Sequence, residues 1–246
     1  MVTKVEIVES APYDLKGPRL IEGFPGIGLV GTIAASYLVE KLQMEQLGYI
    51  TSEKFPALAA IHDYVPLHPA RIYKSKKYNL LVLFSEFIVP LATVYPLSTE
   101  ILKWSKAKGV SEIHSLGGIN LKKGSRETFG IASTPDMVKR LEKAEVKTIK
   151  EGATTGVSGI LLAECATQKF PASSILAQSN TSYMDPGAAA RALACLSAVI
   201  GLEINTNELA AEAKLIEGKM KDIIQNAQDS HTQHYKAAES LGAMYG

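Results

Sequence analysis

The chain is poor in the residues that build disulfide scaffolds, metal centres and membrane spans. Only two of its 246 residues are cysteine, Cys165 and Cys195. Two cysteines are too few for a disulfide framework, so a reducing cytoplasm is the expected location. The apolar runs fall far short of the roughly 20 residues that cross a bilayer, and the first residues alternate like a strand rather than forming a targeting segment. We therefore expect a cytoplasmic protein with no membrane partner.

Positively and negatively charged residues are nearly equal in number. Lys and Arg together number 26 and Asp and Glu 25, which leaves a net charge of +1. A near-neutral chain has no whole-molecule attraction for nucleic acid, so we expect no nucleic-acid partner. Hydrophobic residues make up 46% and charged residues 21%. These values are typical of a globular protein, and the length suits one large α/β domain.

The sequence also lacks the common motifs of catalysis. It has neither the G-x-S-x-G turn of serine hydrolases nor a G-x-x-x-x-G-K-[ST] phosphate loop. His231 and His234 have the spacing of a helical metal pair, but no cysteine or acid completes the ligand set. Ser85 and Glu86 follow a buried apolar run, where active sites often lie, yet Ser85 has no evident base. His62, near another strand end, is interpreted as part of a polar loop, so we expect no catalytic residue, metal or cofactor.

Strand and helix patterns alternate along the chain. Short apolar and β-branched runs predict strands over 5–8, 19–22, 47–51, 57–61, 70–73, 80–84, 110–116 and 173–178. Amphipathic or apolar stretches with start and stop signals predict helices over 28–42, 96–107, 134–141, 156–167 and 185–200. This order predicts a three-layer α/β sandwich with a mostly parallel central sheet.

The C-terminal part of the chain has a separate pattern. Asn205 and Glu208 have the spacing of a capping box, which predicts a helix over about 206–228. An apolar stripe follows on this helix, formed by Leu209, Ile216, Met220 and Ile223. The stripe is expected to pack either on the protein's own sheet or between copies. We expect a single domain over 1–228, including this helix, and a flexible tail over 229–246.

A glycine-rich segment follows the second predicted strand. Gly26, Gly28 and Gly31 match the G-x-G-x-x-G pattern that binds dinucleotides. Glu53 follows at roughly the sequence spacing of the acid that holds the ribose in such sites. The intervening Phe24-Pro25 lengthens a turn that should be tight in a dinucleotide site. We therefore interpret Gly23, Pro25, Gly26, Gly28 and Gly31 as a structural loop that lets a helix pack closely. A nucleotide- or dinucleotide-dependent enzyme using Gly26 to Gly31 is the alternative.

Five segments together resemble the proteasome assembly chaperone 2 family. In chain order they are IEGFPGIGLVGTIAASYLVE over 21–40, LVLFSE over 81–86, SLGGI over 115–119, TGVSGILL over 155–162 and YMDPGAA over 183–189. They are spread along most of the chain, from residue 21 to residue 189, and occur in the family's order. Their combination is far more specific than the glycine pattern alone.

The resemblance implies a nucleoside phosphorylase-like fold without a catalytic site, and work as an assembly chaperone or activator of the proteasome core particle. Archaeal members of the family form homo-oligomers, so a homo-oligomer is expected, and a paralogue of the same family is a further possible partner. Several members dock on the proteasome α-ring through a C-terminal hydrophobic–Tyr–any-residue motif. Met244, Tyr245 and Gly246 match that motif position by position.

Overall fold

A computed structural model describes residues 3–121, 126–179, 184–206 and 209. Eleven strands are found in these ranges: β1 Glu6–Glu9, β2 Arg19–Gly23, β3 Glu45–Thr51, β4 Ala60–His62, β5 Val65–Leu67, β6 Ala70–Ser75, β7 Leu80–Ser85, β8 Glu112–Ile119, β9 Thr128–Ala132, β10 Lys147–Thr148 and β11 Ala172–Gln178. The helices are α1 Val30–Lys41, α2 Leu91–Ala107, α3 Pro135–Lys143, α4 Gly156–Thr167 and α5 Pro186–Ile200.

Within the described ranges, nine strands form one sheet in the order β1-β3-β6-β7-β2-β8-β11-β9-β10, and β4 and β5 form a separate hairpin. The central strands β7, β2, β8 and β11 are parallel neighbours. The flank β1-β3-β6 joins β7 through antiparallel pairs, and β9 pairs antiparallel with β11. The expectation of a mostly parallel sheet is therefore right at the centre and wrong at the flanks. A short turn, such as the one between β6 and β7, can join only antiparallel neighbours.

Helices cover both faces of the central strands, as a three-layer sandwich requires. Ile21 of β2 packs in the cluster that contains α1 and α5, and its neighbour Leu20 packs in the cluster that contains α2 and α4. All six residues of β7 are buried, as expected for a parallel strand covered on both sides. None of the helices in the described ranges has the length and apolarity that a bilayer span needs. A nucleoside phosphorylase-like topology stays a prediction.

The starts and ends of helices were predicted correctly where a capping residue marks them. The Thr134 side chain accepts a hydrogen bond from the Met137 amide and begins α3. Asp185 accepts from the Ala188 amide at 2.8 Å and begins α5, which ends at the left-handed Gly201.

Several boundaries differ from the prediction, and two of them have a clear structural reason. The helix expected from 96 begins five residues earlier, after Pro90, so that Pro96 lies inside α2. The strand expected to stop at 116 continues through Gly117 and Gly118, because both pair in register with β11. A Cβ on Gly118 would lie 2.2 Å from the Ile27 carbonyl oxygen, so glycine is needed there for close approach. The strands β5, β9 and β10 were not predicted.

A charge network ties the amino end of β8 to its surroundings. Glu112 accepts hydrogen bonds from Arg19 of β2 at 2.8 Å and from Arg140 Nη2 of α3 at 2.9 Å. Burial alone would raise the pKa of Glu112, but the contacts with His114 and Arg140 outweigh it and hold this pKa well below its usual range.

The predicted C-terminal helix over 206–228 and tail over 229–246 lie outside the described residues, apart from Thr206 and Leu209. Leu209 is fully buried in the cluster that contains α1 and α5. The Tyr37 hydroxyl of α1 donates to the Asn205 carbonyl at 2.6 Å and holds the preceding segment on the same layer. Leu209 thus packs on the protein's own core, whereas Ile216, Met220 and Ile223 lie outside the described residues.

Candidate functional site

Two neighbouring parallel strands, β2 and β7, continue into helices on opposite faces of the sheet. The chain passes from β2 into α1, which packs on one face, and from β7 into α2, which packs on the other. In open α/β sheets a crevice forms at the carboxyl ends of such a strand pair, and ligands bind there. The loops 24–29 and 86–90 follow these two strand ends and form the candidate site.

The glycines at the two ends of the glycine loop are in close contact with backbone atoms. A Cβ on Gly23 would lie 2.2 Å from the Gly31 carbonyl oxygen, and a Cβ on Gly31 would lie 2.3 Å from the Leu116 carbonyl oxygen. A single 3-10 turn over Ile27–Leu29 precedes α1. These glycines allow α1 to approach β2 and β8 more closely than any side chain would permit.

Gly28 lies against the residues that precede α5. Its φ is +63°, a Cβ there would lie 2.1 Å from Ser179 Oγ, and its carbonyl accepts from the Asp185 amide at 2.9 Å. Glu53 follows β3, which is separated from β2 by β6 and β7. A dinucleotide site places its ribose-binding acid beside the glycine turn, so this geometry does not support the enzyme alternative.

Glu22, at the end of β2, is a completely buried carboxyl group. It accepts hydrogen bonds from the Phe24 amide at 3.0 Å and from the Ser158 hydroxyl of α4 at 2.9 Å. Burial raises the pKa of Glu22 despite these bonds. The group joins β2, the glycine loop and α4, and sequence reasoning missed it because a glutamate inside a strand resembles a surface residue.

Glu86, just after β7, is the centre of a second buried cluster. Its Oε1 lies 2.9 Å from His62 Nε2 and 3.0 Å from Arg71 Nη2. Arg71 is fully buried, and it also donates to the Tyr73 hydroxyl at 2.7 Å and to the His68 carbonyl at 2.8 Å. Burial would raise the pKa of Glu86, but His62 and Arg71 outweigh burial and lower it. The structure thus brings together His62 and Glu86, which sequence analysis had considered separately.

The candidate nucleophiles of the described residues are not activated. Ser85 donates its hydroxyl hydrogen to the Phe87 carbonyl at 2.9 Å, within the turn that follows β7. Burial raises the pKa of Cys165 to about 12 and that of Cys195 to about 11, so both thiols are protonated at neutral pH. No cluster of three or more potential metal ligands is found in the described ranges.

The sequence-predicted partner-binding residues Met244, Tyr245 and Gly246 lie outside the described residues, as do His231 and His234.

Large apolar side chains are exposed in two segments that flank the Glu86 cluster in the chain, and sequence reasoning missed them. They are Ile61, Tyr64 and Val65 in the β4–β5 hairpin, and Ile88, Leu91 and Tyr95 around the start of α2. The signal in the sequence is the absence of any charged residue from Phe87 to Thr99.

Comparison with protein families gives one match over most of the chain. The sequence model of the PAC2 family matches residues 20–224. An uncharacterized protein of Methanocaldococcus jannaschii, MJ0106, is 33% identical over 223 residues, which cover 91% of this chain and 92% of that protein.

Two solved structures from Pyrococcus furiosus are similar along almost their whole length. PbaA, described as an archaeal homolog of proteasome-assembly chaperone, has a TM-score of 0.82 and 29% identity, and the match covers 92% of this chain and 99% of PbaA. PbaB, described as an archaeal proteasome activator, has a TM-score of 0.75 and 24% identity, with 89% and 98% covered. At that identity, the likeness to PbaB concerns the fold alone.

Proposed function

The chain belongs to the PAC2 family, and on that basis we propose that it is a chaperone or activator of the proteasome core particle and not an enzyme. It docks on the α-ring of the particle through Met244, Tyr245 and Gly246, and it does so as a homo-oligomer in the cytoplasm. The observation that carries this proposal is the likeness to PbaA, which extends over 92% of this chain at 29% identity.

The crevice at the ends of β2 and β7 supports a non-enzymatic role. A Cβ on Gly28 would lie 2.1 Å from Ser179 Oγ, so the Ser179 side chain occupies the space beside that glycine. Ser85 donates to a backbone carbonyl, the Glu22 carboxyl group accepts from Ser158, and Glu86 Oε1 is paired with Arg71. Calorimetric titration with NAD, NADP and FAD should therefore detect no binding. Micromolar binding that a Gly28→Leu change abolishes would favour the enzyme alternative.

The C-terminal residues have the chemistry of a docking peptide. A terminal carboxylate pairs with a basic group in a pocket, and a tyrosine ring adds buried area and one hydroxyl hydrogen bond. Residues 229–246, taken as a flexible coil, would reach roughly 20–25 Å from the body. A single three-residue peptide binds weakly, but several tails on one oligomer would gain about 10²–10⁴ in apparent affinity.

The proposal is tested by binding to purified core particle. The full chain should bind the particle, whereas a chain that ends at Ala243 and a Tyr245→Ala variant should lose most of this binding. A buried aromatic anchor is often worth about 2 kcal/mol, or roughly thirtyfold for each tail. Adding residues after Gly246 should have the same effect, because it moves the carboxylate away from its pocket.

Tyr235 provides the matched control, since it offers the same tyrosine-to-alanine change ten positions before Tyr245. Tyr235→Ala should bind like the parent. If Tyr245→Ala and the extended chain bind and stimulate peptide hydrolysis as well as the parent, the tail is not the docking element. If the parent itself does not bind core particle, the proposed function is wrong.

A further inference from the structure

A cavity of about 510 Å³ lies at the carboxyl ends of β8 and β11. It is separate from the candidate site, because the residues that line it belong neither to the loops 24–29 and 86–90 nor to the Glu86 cluster. Small-molecule sites typically have volumes of about 300–1,000 Å³, and in open α/β sheets they lie beyond the carboxyl ends of parallel strands. The cavity therefore has both the size and the place of a ligand site.

The floor of the cavity is apolar and is supplied by three neighbouring strands. Ile119 ends β8, Leu176 lies in β11, and Phe129 and Ile131 lie in β9. Leu176 and Phe129 are paired in register, and all four residues are half-buried. A ligand with an apolar body would remove the rest of their surface from water, which is the main source of affinity in such sites.

The segment before α4, rather than a helix, forms the wall of the cavity. A Cβ on Gly130 would lie 2.9 Å from Leu141 of α3, so Gly130 faces α3. Successive strand residues point to opposite faces, so Phe129 and Ile131 face the layer of α2 and α4. Within the described residues, the cover over them comes from the segment 149–154 and not from α4 itself. The absence of a helix at this corner of the sheet leaves the cavity.

The rim of the cavity favours a negatively charged group. Lys150 belongs to the lining, and α4 begins at Gly156, close to the end of the wall. Thr155, the residue before α4, makes no side-chain hydrogen bond to the helix, and the first turn contains no acidic residue. The first amide groups of α4 are therefore not capped by Thr155, and they carry the positive end of the helix dipole. Glu151 is the one acidic residue among the described lining residues, so one negative charge faces two positive contributions.

We propose that this cavity binds a small apolar carboxylate. The apolar body of the ligand lies against Leu176, Phe129 and Ile131. Its carboxylate accepts hydrogen bonds from Lys150 and from the first amide groups of α4, which are the donors that an anion prefers. The inference goes beyond the proposed function, because it needs neither the core particle nor the C-terminal residues.

The test is calorimetric titration of the full chain with 2-naphthoate and with decanoate, an aromatic and an aliphatic carboxylate. The parent should bind at least one of them, with one molecule per chain and a Kd below about 1 mM. The uncharged amide of the same acid should bind at least about fivefold more weakly, because it gains no charge-assisted hydrogen bond.

Two pairs of variants locate the binding site. Ala153 is exposed and lines the cavity, so Ala153→Trp should fill part of it and weaken carboxylate binding at least about tenfold. Ala163→Trp, at an exposed position of α4 outside the lining, is its control and should bind like the parent. Lys150→Met should weaken binding of the carboxylate about fivefold and leave binding of the amide unchanged. Lys54→Met, at an exposed lysine outside the lining, should change neither.

All four substitutions are at exposed positions, so the melting temperatures of the variants should stay close to that of the parent. A parent that binds neither carboxylate would overturn the inference. So would an amide that binds as tightly as the acid, an Ala153→Trp variant that binds like the parent, or a control variant that loses binding equally. No core particle enters these measurements, so their outcome is independent of whether the tail docks.

Discussion

Gly26 and Gly28 are two positions apart in one loop and have opposite surroundings. No atom lies within 4 Å of a Cβ built on Gly26, and its backbone is extended. Gly28 has a left-handed backbone, and a Cβ there would displace Ser179 from its hydrogen bond with Asp185. One glycine of the pattern is thus required by its environment, and the other is not.

We predict that Gly28→Ala lowers the free energy of unfolding by about 2–4 kcal/mol, because backbone strain adds to the steric conflict. Gly26→Ala should change it by less than about 0.5 kcal/mol. Urea denaturation of both variants measures the difference. Equal losses at the two positions would contradict the assignment of Gly28 as the close-packed glycine.

Glu112 should make stability depend on pH in the acid range. The pKa of Glu112 is lowered in the folded protein. Its contribution to the free energy of unfolding is therefore complete above the pKa of the unfolded chain, about 4.3, and is lost as the pH falls below that value. Glu112→Gln should cost about 2 kcal/mol at pH 7 and flatten the fall in melting temperature between about pH 5 and 3. Glu45→Gln, at a side chain that is 80% exposed, is the control and should keep the parent's pH profile.

At the scale of elements, the helix ends that depend on residues of the same turn were predicted from the sequence. The helix caps at Thr134 and Asp185 and the helix end at Gly201 depend only on residues within one turn. All three are confirmed. The start of α2 was placed at Pro96 because proline suits the first turn of a helix, whereas the preceding turn carries the apolar but exposed Leu91 and Tyr95. Their pattern does not follow the usual rule that apolar side chains face the core.

Pro96 provides a test of where α2 begins. Inside a helix, proline removes the hydrogen bond that its amide would give to the carbonyl four residues earlier, here that of Ala92. Pro96→Ala should therefore raise the free energy of unfolding by about 1–2 kcal/mol, after the entropy that proline removes from the unfolded chain is allowed for. If α2 began at Pro96 instead, the same change would be neutral or destabilising. Thermal denaturation distinguishes the two.

At the scale of the whole molecule, strand direction and contacts between residues far apart in the chain could not be predicted from sequence patterns. A buried strand has the same apolar run whether its neighbours are parallel or antiparallel, so the mixed sheet was not predictable. His62 and Glu86 are separated by β5, β6 and β7 in the chain and meet only in the fold. The fold class was predictable because the alternation of strands and helices does not depend on strand direction or on exact element boundaries.

The central position of β2 has a consequence for synthesis on the ribosome. Both of its sheet neighbours come later in the chain, and its Arg19 pairs with Glu112, 93 residues further on. At 5–20 residues per second, translation of that length takes roughly 5–20 s. During this interval β2 lacks a neighbour along at least one edge, and its apolar residues are open to wrong pairing. We therefore expect the nascent chain to expose β2 to general folding factors until β8 has left the ribosome.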